Sequence, residues 1–134
     1  MNNKQKHLEL IQGVVNRLST NSFLLKGWSV VLVSALFALS AADSKLAFVF
    51  LAYIPAVVFW GLDGFFLWQE KLYRKLYDHV RGLDESEIDF SMDTTPFKTE
   101  ARAPTRADAT FSKTLVPFHG VLIFAIIVVM ILTL

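Results

Sequence analysis

Charge-free stretches alternate with a polar block along this chain. Gly27–Ala42, Leu46–Leu62 and Phe118–Leu134 contain no Asp, Glu, Lys or Arg. An apolar helix needs about 20 residues, at about 1.5 Å each, to cross about 30 Å of hydrocarbon. With their flanks all three runs reach that length. The first extends over residues 23–42 if Lys26 carries its ammonium back to the headgroups on its aliphatic stem. The second covers 46–68, with Asp63 near its end, and the third covers 115–134. The pattern predicts an all-α membrane protein with three transmembrane helices, the first two joined by an external turn at 43–45.

The polar parts are patterned too. Within residues 1–22, Leu8, Ile11, Val15 and Leu18 recur at helical spacing, which predicts a cytoplasmic amphipathic helix, with Thr20, Asn21 and Ser22 as caps for the first span. Beyond Trp68, Leu72, Tyr73, Leu76, Tyr77 and Val80 keep the same spacing, and Glu70, Arg74 and Asp78 place opposite charges four apart. The second helix is therefore expected to leave the membrane and continue through 69–82, ending near Gly82. Residues 83–114 are polar and broken by Pro96 and Pro104, which predicts an irregular cytoplasmic segment. Its Ile88–Phe97 part carries enough apolar side chains to be pinned against the cytoplasmic helices, and 99–113 is expected to be mobile. Tyr73, Tyr77, Phe90 and Phe97 are the candidates for contact with a cytoplasmic partner protein.

Ser34, Ala38 and Ala42 repeat every four residues, a small-residue stripe that lets another helix approach closely in lipid. It predicts tight helix packing there, within a hairpin or between copies. Pro55 removes a backbone donor inside the second span and frees the Leu51 carbonyl, so a kink is expected.

Charge adds direction. Lys4, Lys6, Arg17 and Lys26 precede or open the first span, eight further basic residues lie between the second and third, and Lys45 alone falls elsewhere. The positive-inside rule then puts the N-terminus in the cytoplasm and the C-terminus outside. The formal net charge of +1 and the interspersed acids give no case for nucleic acid. A composition 54% hydrophobic and 19% charged agrees with a membrane protein. There is no cysteine, so disulfides, thiolate metal sites and cysteine nucleophiles are excluded.

Asp63 is the most pointed chemical candidate, because a carboxylate at mid-bilayer costs about 3 kcal/mol on insertion scales and faces protein or water. A pair with Lys26 at the inner leaflet, or a gating role, would account for it. His119 opens the third span with no partner spaced for it in the sequence. The acids Asp84, Glu85, Glu87, Asp89 and Asp93 lack the glycine and terminal glutamate of a calcium loop and read as a solvated face. No phosphate loop, nucleophile elbow or zinc signature occurs, and neither enzymatic activity, metal nor cofactor is expected.

The segments Asn21–Trp28 and Leu62–Tyr77 resemble those of small bacterial membrane proteins, and the layout is similar to the SLATT-type two-span effectors. In that family a membrane hairpin with cytoplasmic helices accompanies nucleotide-sensing or phage-defence genes, and pore formation is attributed to it. This chain differs in carrying a third span. The resemblance implies a bacterial inner membrane, a homo-oligomer that opens a pore as an antiviral defence effector, and a partner encoded nearby. A passive adaptor recruiting a soluble complex is the alternative.

Overall fold

The computed structural model describes residues 2–134, and among them every regular element is helical. α1 runs from Asn3 to Asp43. Its first turn is closed by a capping box, Asn2 Oδ1 accepting from the Gln5 amide at 2.8 Å and Gln5 Oε1 from the Asn2 amide at 3.2 Å. The Glu85 carboxylate accepts from the Asn3 and Lys4 amides at 2.7 and 3.1 Å, so this acid caps a helix rather than merely facing solvent.

At 41 residues α1 is about 62 Å long, twice the thickness of the hydrocarbon. The separate amphipathic helix expected over 1–22 is therefore not a separate element. Thr20, Asn21 and Ser22 act as caps only where the backbone leaves the helix, and with no proline beside them the chain runs straight through.

Ser44, with φ 54°, turns the chain, and α2 (Ala47–Leu51) and α3 (Tyr53–Arg81) return antiparallel to α1. The interruption at Ala52 is the effect of Pro55: the Leu51 carbonyl lacks its donor, and the Ala52 amide bonds back to Val49 at 3.2 Å, a tighter turn. α3 ends at Gly82, as its position suggested, although with φ −85° the glycine is not left-handed.

Residues 83–114 are more ordered than their composition implies. They hold a 3-10 turn at Glu85–Glu87, α4 (Thr95–Lys98) and α5 (Arg106–Thr110). α6 (Val116–Thr133) follows, with Pro117 in its first turn, where a missing donor costs nothing.

Two cores result. In the polar half Ile11 packs with Leu72, Leu76, Val80 and Phe97, with Leu8, Tyr73, Tyr77, Ile88 and Met92 around them. In the apolar half Val33 packs with Val49, Ala52, Ala56 and Ile126. α1, α2–α3 and α6 are each long and apolar enough to cross a membrane. Their outward side chains fit lipid as solvent: Phe23, Ile54, Val57, Val121, Phe124 and Leu132 are all more than half exposed.

Pro55 sits partly buried at the break, whereas Ser34, Ala38 and Ala42 are exposed and belong to neither core. The inward face of α1 is set by Ile11, Val15, Ser29, Val33 and Ser40. The small-residue stripe lies one position on from Val33, about 100° round the helix, and is exposed.

Candidate functional site

Where the two cores meet, each long helix contributes polar groups to one buried cluster. Asp63 of α3 is fully buried. Its Oδ2 accepts from Lys26 Nζ of α1 at 2.6 Å and from His119 Nε2 of α6 at 2.8 Å. The Ser22 hydroxyl donates to Oδ1, and Lys26 Nζ also donates to Ser22 Oγ at 2.8 Å. Ser22 and Lys26 are one turn apart on α1 and so share a face.

The electrostatics follow from burial. An isolated carboxylate in an apolar interior is prohibitive, and one with a cationic partner and further donors to its lone pairs is tolerable. Asp63 has three donors and one opposite charge. His119, also fully buried, gives its Nε2 proton to Asp63, and its Nδ1 has no hydrogen-bond partner. In the neutral ring that nitrogen is an acceptor left unmet, a smaller burden than a stranded donor. The ring lies parallel to the Trp60 indole, interplanar angle 5° and centroids 5.7 Å apart, with Phe118 against it edge-on.

A second layer holds the cluster from the polar side. Trp60 Nε1 donates to the Thr110 carbonyl at 2.8 Å and Trp68 Nε1 to the Pro104 carbonyl at 2.9 Å, which straps α5 along α3. The segment 99–113, expected to be mobile, is therefore held by indoles at Pro104 and Thr110, on either side of α5. Gly64 permits the contact: a Cβ there would collide with the Thr110 side chain.

The arrangement neutralises a charge and joins helices; it does not activate a nucleophile. Ser, His and Asp are all present, but the carboxylate is at the centre. Ser22 and His119 both donate to Asp63, so no imidazole acts as base on the serine hydroxyl. Among the described residues no three His, Cys, Asp or Glu side chains are gathered as a metal site.

The structure brings the two gating candidates, Asp63 and Lys26, into one ion pair. It adds two members that sequence reasoning missed: His119, read as unpartnered, and Ser22, read as a cap. Depth was the available signal. Lys26 stands near the start of the first run, Asp63 near the end of the second and His119 near the start of the third, and in antiparallel spans those are one level.

The four partner-contact candidates divide. Phe97 is buried in the polar core and is not free to meet another protein. Tyr73 and Tyr77 pack against that core and are partly covered. Phe90 is 39% exposed, held at φ 56° with its ring 5.5 Å from that of His7. His7 is itself buried and hydrogen-bonded through Nε2 to the Ser91 carbonyl at 2.8 Å. No family model, curated protein or solved structure matches the chain.

Proposed function

We propose that this chain is a small multi-pass protein of the bacterial inner membrane, assembled from several copies, that permeabilises the bilayer when a cytoplasmic partner acts on its helical stalk. The observation that carries this reading is mechanical continuity. α1 and α3 each pass unbroken from the polar core into the apolar half, and the Asp63 cluster sits at the junction. A displacement of the stalk helices is thereby transmitted to a cluster that bonds all three spans together. Separating them uncovers a carboxylate, an ammonium and an imidazole, groups that attract water into a bilayer.

One copy has too few spans to enclose a wide aqueous path, so assembly is part of the proposal. The exposed Ser34, Ala38 and Ala42 face of α1 suits close approach between copies. An anti-phage role rests on the resemblance to SLATT-type effectors, in the orientation with the stalk and N-terminus cytoplasmic.

Expression together with the neighbouring genes should collapse the membrane potential, read with a voltage-sensitive dye, and Asp63→Asn should change the extent or threshold of the collapse. A potential that stays intact under triggering ends the permeabilising reading.

The second reading is a membrane adaptor, and exposed Phe90 favours it. A bulky residue with positive φ is uncommon and is held only by its surroundings. Under that reading Phe90→Ala abolishes recruitment of a soluble partner to membranes while Asp63→Asn leaves recruitment intact.

A further inference from the structure

At the far end of the polar half, where the start of α1 meets the end of α3, a cleft of about 330 Å³ is walled by His7, by Leu83 and by side chains of the 89–100 stretch. Leu83 and Pro96 give it apolar surface, and Asp89 and Asp93 give it charge. Each aspartate turns one oxygen to an amide two residues on, Asp89 Oδ1 accepting from Ser91 at 3.0 Å and Asp93 Oδ1 from Thr95 at 2.9 Å. A carboxylate has about four acceptor sites, so both keep capacity. Neither is in an ion pair among the described residues. His7 adds a third acceptor to the wall. Its Nε2 is bonded to the Ser91 carbonyl at 2.8 Å, and a carbonyl only accepts, so the proton is on Nε2. Nδ1 of this fully buried ring is then an acceptor, and it has no partner.

No lysine or arginine lines the cleft. Glu100 lines it too, but Lys75 takes its charge at 3.2 Å. Lys98 acts on Asp93 only from a distance, its ammonium 5.4 Å from the centroid of the Trp68 ring. Arg81 is paired with Asp78 at 3.5 Å. Lys4 and Lys6 share the first turns of α1 with His7 but are not part of the wall. His79 stands exposed at the rim. The wall is left with acceptors in excess of donors and with negative charge that no residue in it cancels.

We propose that this cleft binds a guanidinium group carried on an aliphatic stem, the group bonded to Asp89, Asp93 and His7 Nδ1 and the stem lying against Leu83 and Pro96. A guanidinium supplies five N–H donors in a fixed fork and accepts nothing, which is what a wall of unmet acceptors requires. It is also weakly hydrated, and so suits a cleft that is apolar on one side, where an ammonium would have to shed tightly held water. A bare metal ion is a poorer match, since among the described residues no three His, Asp or Glu side chains are gathered around one point. A free alkylguanidine and the arginine side chain of a docking protein share this chemistry. The inference is independent of permeabilisation, and with the second source it gives the chemistry by which a cytoplasmic partner takes hold of the stalk.

Titration of the purified full chain in an uncharged detergent tests this, followed by the imidazole nitrogen resonances in NMR. The probes are agmatine and a glycine-serine peptide carrying one arginine, with the same peptide carrying citrulline, the neutral isostere, as the comparison. The arginine peptide should bind and move the His7 Nδ1 resonance, and the citrulline peptide should bind at least about tenfold more weakly. Asp89→Asn/Asp93→Asn should weaken the arginine peptide by a similar factor, while the amide oxygens still accept from Ser91 and Thr95 and the loop keeps its shape. Equal affinity for agmatine and the arginine peptide assigns the cleft to a free alkylguanidine, and tighter binding of the peptide assigns it to a protein's arginine; either result supports the proposal. Equal binding of the arginine and citrulline peptides, binding untouched by the double variant, or a His7 Nδ1 resonance that stays in place at saturation would each overturn it, as would no binding of either guanidinium probe.

Discussion

The carboxylate of Asp63 is fully buried in a helix otherwise suited to lipid, and it persists because Lys26, Ser22 and His119 all donate to it. Removing the ammonium alone strands the anion, and breaking a buried ion pair from one side costs about 3–5 kcal/mol. Lys26→Met is accordingly expected to destabilise the protein strongly in detergent, and Lys26→Met/Asp63→Asn to recover most of that loss. Thermal unfolding of the single and double variants measures the coupling, and strictly additive effects would show that the two groups do not share one network. Outside the spans, the Thr95 hydroxyl and amide hold the Asp93 carboxyl below its ordinary pKa. The sign follows from that direction: the bond to the first turn of α4 is complete above the ordinary aspartate value of about 3.9 and is lost as pH falls through the lowered one. The protection of the Thr95 amide, its exchange rate relative to the intrinsic rate at each pH, should fall only in that acid range; a fall near neutrality would contradict the assignment.

At the level of elements, two glycines on one helix have opposite roles. Gly64 lies beneath Thr110 where α5 crosses α3, and Gly61 has no neighbour within 4 Å of a would-be Cβ. Gly64→Ala should cost about 1–3 kcal/mol by forcing α5 away, and Gly61→Ala should gain about 0.5–1 kcal/mol from helix entropy. Hydrogen exchange over 104–111 separates the two, since only the Gly64 variant should release that segment. The three apolar spans, the turn near residue 44, the disruption by Pro55 and the extension of the second helix to Gly82 were all legible, because each depends on local periodicity or backbone chemistry. The strap of α5 was not, because it depends on two indoles finding carbonyls 36 and 50 residues away. The continuity of α1 was also hidden: Thr20, Asn21 and Ser22 are good caps, and nothing local shows that the helix ignores them. Membership of His119 and Ser22 in the cluster needed the spans to be aligned by depth, a relation between elements that periodicity within each one does not contain.

For the molecule as a whole, an apolar half and a polar half, each packed by its own core, are joined at the buried Asp63. The proposed assembly through the exposed face of α1 has a direct consequence for mass. The particle in detergent should contain several chains, and Ala38→Leu should reduce it to one without loss of helicity; a native particle of one 15.1 kDa chain would remove the structural basis for a pore. The account as a whole depends on lipid being the solvent of the three apolar helices. Alkaline extraction of membranes carrying the full chain tests this most directly: the protein should stay in the bilayer pellet and require detergent for release, and its recovery from the aqueous phase as a compact monomer would contradict the account.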